Sequence, residues 1–414
     1  MAKIDDSVKK KVPELRFPGF TDDWEERKLK DVTERVRSND GRMDLPTLTM
    51  SASSGWLDQK DRFSGDISGK EKKNYTLLKK GELSYNHGNS KLAKYGVVFS
   101  LTNYEEALVP RVYHSFKALE NTSADFIEYM FSTKLPDREL GKLISSGARM
   151  DGLLNINYDD FMNIHISIPN YEEQILMSAF FRKLDENIAL HQRKLDLLKE
   201  QKKGYLQKMF PKNGEKVPEL RFAGFADDWE ERKLGDIGDT FTGLTGKTKE
   251  DFGHGSAKFV TYVNVFQNPI ATLDQLDAVE IDEKQNQVQK GDVFFTTSSE
   301  TPEEVGMSSV WTYDTKNVYL NSFTFGYRPR VSFDLNYMAS MLRSPSIRKK
   351  ITFLAQGISR YNISKTKMLE IEIPAPNLSE QKKIGSFFKL LDDTIALHQR
   401  KLDLLKEQKK GYLQ

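Results

Sequence analysis

The chain of 414 residues contains no cysteine, which excludes disulfide bonds and zinc sites built on thiolates. It has no run of about twenty apolar residues, so the sequence predicts no membrane-spanning helix. No Pro-Pro pair occurs, and the signature of amino-methyltransferases, Asn or Asp followed by Pro-Pro and an aromatic residue, is therefore absent. The net charge is only +2, from 62 basic and 60 acidic residues, so overall charge does not by itself indicate a nucleic-acid partner.

Other sites that could support an enzyme are also missing, and we predict no catalytic, cofactor-binding or metal-binding residue. The segment at 243–248 is the nearest match to a phosphate-binding loop, but Phe241 stands where a glycine is needed. We expect a turn there instead. The six histidines include no pair at the spacing of helical metal ligands. With a cysteine-free composition and no apolar leader at the N-terminus, a cytoplasmic location is expected.

The sequence contains an internal repeat. Residues 11–29, KVPELRFPGFTDDWEERKL, recur at 216–234 with two changes, and residues 188–207 recur unchanged at 395–414. Between these blocks the halves diverge, although glycines and the Asn-Ile and Glu-Gln pairs keep nearly constant offsets. A constant frame around a divergent interior predicts two domains of one fold that recognise different things.

Each divergent region has the pattern of a mixed, largely β domain, so the fold class is α+β. Short apolar or alternating runs predict strands at 95–100, 109–116, 258–265, 293–297 and 318–327. Helical spacing predicts helices at 125–132 and 336–342.

After each domain, apolar residues alternate by four and three over some four heptads, which predicts a coiled-coil helix. The predicted seam positions are Phe181, Leu184, Ile188, His191, Leu195 and Leu198 in the first copy and Phe388, Leu391, Ile395, His398, Leu402 and Leu405 in the second. The histidines would weaken the helix pair while fixing its register.

The connections determine the direction of pairing. Each helix would be roughly 50 Å long, and the second domain follows the first helix after a linker too short to lead back along it. The second helix must therefore run back towards the first domain, giving an antiparallel pair with a pseudo-two-fold axis. The predicted boundaries are domains at 1–170 and 219–377, helices at 171–210 and 378–414, and a linker at 211–218.

Together, these motifs resemble a known family over almost the whole chain. The repeated PELRFxGFxDDWEERKL opening, the Glu173-Gln174 and Glu380-Gln381 closings and the LHQRKLDLLKEQKKGYLQ helix look like the specificity subunits of type I restriction-modification systems. The resemblance implies that each domain reads one half of a bipartite double-stranded DNA target and that the helices fix the unread spacer. It also implies a bacterial protein whose helices dock two methyltransferase subunits, with restriction subunits joining the full complex. S-adenosylmethionine, ATP and Mg²⁺ are then expected on those partners and none of them on this chain.

Base reading requires Arg or Lys for guanine and Asn or Gln for adenine, presented from loops, with hydroxyl and basic groups on phosphates. Three loops at corresponding places in the two domains carry such residues. The candidates are Arg35, Arg37, Asn39, Arg42, Asn86, His87, Asn89, Lys91 and Arg149 in the first domain, and Thr245, Lys247, Lys249, Thr297, Ser298, Ser299, Arg360 and Tyr361 in the second.

Two further interpretations accompany this prediction. Trp24 and Trp229 recur in the identical frame, which favours packing anchors over exposed binding hot spots. A different class of function also fits the near-neutral charge: a coiled-coil scaffold joining two protein-binding heads. Salt-sensitive binding to duplex DNA in the presence of a methyltransferase partner would discriminate between the two functions.

Overall fold

The computed structural model describes residues 13–63, 69–144, 152–212 and 214–413. The chain divides into two compact units. Unit 1 comprises the described residues of Met1–Leu190 and Leu402–Gln414, and unit 2 those of His191–Lys401. Among the residues described, none of the helices combines the length and apolar character needed to span a bilayer.

The first half of the chain alternates short strands with short helices before one long helix. Its strands are β1 (Glu25–Lys28), β2 (Thr33–Arg35), β3 (Leu48–Ser51), β4 (Gly55–Asp58), β5 (Thr76–Lys79), β6 (Leu83–Asn86), β7 (Val97–Ser100), β8 (Glu106–Val109), β9 (His114–Ala118) and β10 (His165–Ile168). Its helices are α1 (Leu29–Val32), α2 (Gln59–Phe63), α3 (Ala124–Ser132), α4 (Asp137–Leu143), α5 (Tyr158–Met162) and α6 (Tyr171–Lys208), with a 3₁₀ turn at Gly69–Asn74.

The second half repeats this plan. Its strands are β11 (Glu230–Lys233), β12 (Gly238–Thr242), β13 (Phe252–Val260), β14 (Leu276–Val279), β15 (Val293–Thr296), β16 (Ser298–Ser299), β17 (Ser308–Val310), β18 (Val318–Leu320), β19 (Thr324–Pro329), β20 (Tyr361–Asn362) and β21 (Glu372–Ala375). Its helices are α7 (Leu234–Ile237), α8 (Tyr262–Gln267), α9 (Leu335–Leu342), α10 (Pro345–Phe353), α11 (Lys365–Leu369) and α12 (Leu378–Tyr412), with 3₁₀ turns at Lys249–Asp251 and Pro302–Glu304.

A four-stranded antiparallel sheet forms the centre of each unit. The strand order is β2-β9-β6-β7 in unit 1 and β12-β19-β15-β17 in unit 2, where corresponding strands occupy corresponding places. In unit 1 the inward side chains of Leu83, Tyr85 and Phe116 have no exposed surface. Phe294 and Phe295 are equally buried in unit 2. Burial of such large apolar side chains supplies most of the stabilisation of each sheet.

The repeated sequence frame builds the same structure in both units. The two EERK segments, β1 and β11, pair antiparallel with β10 and β21. Arg16 Nε donates to Glu173 Oε1 at 2.7 Å and Arg221 Nε to Glu380 Oε1 at 2.7 Å, and both carboxylates are fully buried. A buried carboxylate needs such a partner, which explains why both residues are kept in both copies of the frame.

Both repeated tryptophans pack against apolar side chains, so the interpretation of packing anchors is confirmed. Trp229 is 2% exposed and meets Phe210 and Tyr337 edge-on. Trp24 packs edge-on against Phe126 in the core of unit 1.

Three of the predicted strands are wrong in detail. The run 109–116 is two strands, β8 and β9, because Pro110 starts a turn that Tyr113 N–H closes on its carbonyl at 3.0 Å. The run 258–265 leaves β13 and enters α8, because the Thr261 side chain caps the helix by accepting from Asn264 N–H. The run 318–327 is broken between β18 and β19 by a turn at the buried Asn321.

Each unit contains a part of each long helix. In unit 1, Phe180 and Asp185 of α6 contact Tyr412 and Lys409 of α12. The residue numbers of the contacts in α12 decrease as those in α6 increase, so these segments are antiparallel.

The remaining parts of the same two helices pack together in unit 2. There, Lys202 of α6 pairs with Asp392 of α12 at 2.5 Å, and Tyr205 meets Phe387 edge-on. These segments are antiparallel as well.

Candidate nucleic-acid interface

In unit 2 the structure brings together the second and third candidate loops. Strands β16 and β20 form a two-stranded antiparallel ladder in which Ser298 pairs with Asn362 and Ser299 with Tyr361. The Ile363 N–H donates to the Thr297 carbonyl at 3.0 Å and extends the contact. Residues some sixty positions apart in sequence therefore lie side by side, and we call 297–299 and 360–362 the paired loops of unit 2.

The equivalent segments of unit 1 meet in the same way. An isolated antiparallel bridge joins Gly88 to Leu153, and Asn89 N–H donates to the Gly152 carbonyl at 2.9 Å. We call 86–91 and 152–154 the paired loops of unit 1. The candidate Arg149 lies outside the described residues.

The side chains on the paired loops of unit 2 differ in availability. Arg360 is exposed, and no described residue forms an ion pair with it. The Ser299 hydroxyl donates to Glu304 Oε2 at 3.1 Å, and the Thr297 hydroxyl donates to a main-chain carbonyl. Ser298 is only 8% exposed, because its strand position turns the side chain inwards. We therefore remove Ser298 from the candidate contacts.

Tyr361, on β20, is half-buried beside these loops. Its neighbour Arg360 is thus the cationic side chain that this ladder presents to solvent.

His87 is not a surface residue, contrary to the sequence prediction. It is 5% exposed, and its ring nitrogens face the carbonyls of Leu154 at 2.7 Å and Val112 at 3.1 Å. The ring ties one paired loop of unit 1 to the other, which is a structural role. Lys91 remains exposed, with no ion pair to any described residue.

Asn86, beside it, also serves the local fold. Its side-chain oxygen accepts from Gly88 N–H at 3.0 Å and its amide reaches the Met50 carbonyl at 3.5 Å. These bonds shape the loop that presents Asn89 and Lys91.

Two basic candidates in the first loops are neutralised within the protein. Arg42 pairs with Asp40 at 2.6 Å and Glu106 at 2.7 Å, and these bonds raise the pKa of its guanidinium. Lys247 pairs with Asp282 at 2.8 Å, which lowers the pKa of that carboxyl to about 2. A cation held by a carboxylate has less charge to offer a phosphate, so we no longer propose either side chain as a principal contact.

The remaining residues of the first loops divide in the same way. The Asn39 side chain folds back onto the Tyr75 carbonyl and the Gly41 N–H, and Thr245 N–H donates to Gln285 Oε1 at 3.0 Å. Lys249 is exposed and unpaired within the described part of the chain.

Arg35, the last residue of β2, and Arg37, in the loop that follows, are also free of carboxylate partners among the described residues. Arg35 lies half-buried over an aromatic ring, and Arg37 is exposed.

Sequence reasoning missed an apolar part of this surface. Phe323 is 63% exposed, yet its N–H donates to Asn321 Oδ1 at 2.9 Å and its carbonyl accepts from the Thr297 hydroxyl at 2.8 Å. Ile358, two residues before Arg360, is 95% exposed. An exposed aromatic side chain on a main chain held by hydrogen bonds, beside polar loops, is suited to contact bases or thymine methyl groups. The only sequence signal was an apolar residue in the Asn-Ser-Phe-Thr turn.

The described residues contain no group of three or more His, Asp or Glu side chains placed to hold a metal ion. The paired loops expose the cationic side chains of Arg360 and Lys91 and the amide side chain of Asn89, which suits a binding surface.

This chain belongs to the family of type I restriction modification DNA specificity domains, whose model matches it twice, at residues 21–200 and 226–407. The two matches correspond to the two halves of the sequence repeat.

Relatives in Methanocaldococcus jannaschii span most of the chain. The type I restriction enzyme MjaVIII specificity subunit is 23% identical over 299 residues, which cover 70% of this chain and 69% of the relative. A second protein, assigned to the MjaX type I restriction enzyme as its specificity subunit, is 24% identical over 419 residues. The match covers 94% of this chain and 91% of that relative.

Solved structures share the fold. The S subunit of a type I restriction-modification system from M. genitalium superposes with a TM-score of 0.60 at 14% identity, covering 97% of this chain and 98% of that one. A chain from a study of complex assembly and conformational transition in a type I R-M system superposes with a TM-score of 0.52 at 15% identity, covering 97% of this chain and 98% of that one.

Proposed function

We propose that this chain is the DNA-reading specificity subunit of a type I restriction-modification complex, with each unit reading one half of a bipartite target. The observation that carries the proposal is the paired loops: both units use the same frame to bring two distant loops together, but the loops carry different residues. Such an arrangement is suited to reading two different half-sites.

Within unit 2, Arg360 is the candidate for base recognition. An exposed guanidinium without a protein partner can form two hydrogen bonds to guanine in the major groove. Phe323 and Ile358 would make apolar contacts beside it. In unit 1 the corresponding candidates are Asn89 and Lys91.

The two long helices form, in this proposal, one continuous antiparallel coiled coil related by a pseudo-two-fold axis. The antiparallel contacts in each unit support it, as does the polar pair His191 and His398, whose Nδ1 atoms are 3.3 Å apart. Leu195, Leu198 and Leu402 of the predicted seam are buried. A rigid helix pair would fix the number of unread base pairs between the half-sites.

Partners supply the chemistry in this proposal. Two methyltransferase subunits dock on the repeated helices and transfer methyl groups from S-adenosylmethionine to adenine, and restriction subunits cleave DNA with ATP and Mg²⁺. The exposed Leu190, Leu197, Leu397 and Leu404 of the repeated segments support a docking role, because each is more than half exposed and all four recur in equivalent positions. The complex would act on DNA in the bacterial cytoplasm.

Salt dependence of binding tests the proposal against the alternative of a protein-binding scaffold. The chain assembled with its methyltransferase subunit should bind duplex DNA, and the logarithm of its affinity should fall linearly with the logarithm of the salt concentration. A complex that assembles correctly but has no salt-dependent affinity for any duplex would favour the scaffold.

A further inference from the structure

A cavity of about 260 Å³ in unit 1 is lined by three arginines, Arg35, Arg37 and Arg111. His114 and Tyr158 contribute to its wall, and no carboxylate does. Arg111 was not among the sequence candidates, because the run 109–116 looked like one strand and hid the turn that carries it.

The arginines of this pocket differ from others in the same unit. Arg16, Arg27 and Arg182 each bind a carboxylate within unit 1, as does Arg42. By contrast, no described residue forms an ion pair with any of the three pocket arginines. Three like charges around one cavity repel each other, which costs folding free energy that an anion would offset.

The pocket is built on the central sheet and does not depend on loose side chains alone. Arg35 ends β2, and its guanidinium carbon lies 3.8 Å from the centre of the Tyr158 ring. Beside it, Val36 N–H donates to the Ser115 carbonyl of β9 at 3.0 Å. Arg111 belongs to the tight turn that leads into β9.

The same pocket adjoins the paired loops. His114, on its wall, donates to the Ile156 carbonyl at 2.9 Å and stacks on His87 with ring centres 5.0 Å apart. His87 in turn contacts the carbonyl of Val112, the residue after Arg111. Burial lowers the pKa of His114, and the positive charge of Arg37 lowers it further, as expected beside a cationic cavity.

We propose that this pocket binds one phosphate group of the DNA backbone, next to the half-site read by unit 1. Guanidinium groups present paired N–H donors that match phosphate oxygens. The contact would position the duplex against the paired loops without reading sequence. This inference rests on the proposed function and adds the phosphate contact and Arg111 to it.

The test compares Arg111→Ala with Arg138→Ala in the chain assembled with its methyltransferase subunit. Arg138 is an exposed arginine of α4 without an ion pair to any described residue, so both variants lose the same charge from the same unit. For Arg111→Ala, the slope of log affinity against log salt should become shallower by about one. Affinity should fall by the same factor for target and scrambled duplexes. Arg138→Ala should keep the wild-type slope.

Each other outcome has a distinct meaning. If the two variants have equal slopes of log affinity against log salt while wild-type affinity falls steeply with salt, the pocket is not a phosphate site, but the proposed function stands. Loss of affinity for the target duplex alone would make Arg111 a base contact. Absence of duplex binding by the wild-type complex would overturn the proposed function and the DNA assignment together. In a separate arm, inorganic phosphate that raises the melting temperature of the wild type but not of Arg111→Ala, with duplex slopes unchanged, would assign the pocket to free phosphate.

Discussion

Arg348 is a half-buried arginine that holds the polypeptide next to the paired loops of unit 2. From α10, its guanidinium donates to the carbonyls of Gly306 at 2.7 Å, Glu303 at 2.7 Å and Val305 at 2.6 Å. The segment so held includes Glu304, which accepts the hydroxyl of Ser299. Replacing Arg348 with methionine keeps an apolar stem and removes all three bonds.

The magnitude follows from these contacts. Each hydrogen bond from a charged donor contributes about 1.5–3 kcal/mol. Burial opposes this gain: it lowers the pKa of the Arg348 guanidinium from its ordinary value to about 10, which corresponds to about 3 kcal/mol. After this cost is subtracted from the contribution of the three hydrogen bonds, Arg348→Met should lower the free energy of local opening by roughly 3 kcal/mol. That corresponds to about a 100-fold change in the opening equilibrium constant.

Amide hydrogen exchange measured by mass spectrometry provides the assay, because it reports each unit separately. Peptides covering β15 and β17 should exchange roughly 100-fold faster in Arg348→Met, while peptides of unit 1 keep their rates. The control is Arg232→Ala, which breaks a surface pair with Glu230 whose side chains are 42% and 66% exposed and should cost less than about 1 kcal/mol. If Arg348→Met changes these peptides no more than Arg232→Ala does, the assignment of Arg348 as a structural clamp is wrong.

Four further substitutions test the candidate contacts, the helix interface and the core of unit 2. Arg360→Ala should relax recognition of one half-site by about 5- to 150-fold and leave the other unchanged, as scored by methylated-motif counts; equal losses at both would defeat separate reading. The wild type should lose stability as the pH falls below about 6.5, because burial lowers the pKa of His114 in the folded state and the unfolded state takes up the proton first. His114→Gln should remove this loss, which urea unfolding at pH 5.5 and 7.5 would detect. Joint replacement of His191 and His398 by leucine should raise the melting temperature, since apolar residues replace a polar pair in the helix interface; a fall would contradict a role confined to register. Phe388→Ala, at a fully buried site, should lower the free energy of unfolding of unit 2 by about 3–5 kcal/mol in urea titrations.

The long helices and the two-fold repeat could be predicted from sequence because both are periodic. The four-and-three spacing of apolar residues marks α6 and α12 without any knowledge of the fold. Packing at the repeated Trp24 and Trp229 followed from their identical frames. These features depend on local pattern or on self-comparison, which one sequence contains.

The details of the candidate interface depend on contacts between distant residues, and sequence patterns did not predict them. Nothing local distinguishes the buried His87 from a loop histidine, since its partner Leu154 is 67 positions away. The pairing of Arg42 with Glu106 is equally remote. Strands β8 and β9 merged in the prediction because Val112 and Tyr113, in the turn between them, continue the run of apolar residues on either side of Arg111.

The most direct test of the account is to co-express this chain with its methyltransferase subunit in a host lacking adenine methylation and to map N6-methyladenine across the genome. We expect one motif of two short half-sites separated by a fixed unread gap, because two units on a rigid helix pair would read the DNA. A correctly assembled complex that leaves the genome unmethylated, or that methylates a single uninterrupted site, would contradict it.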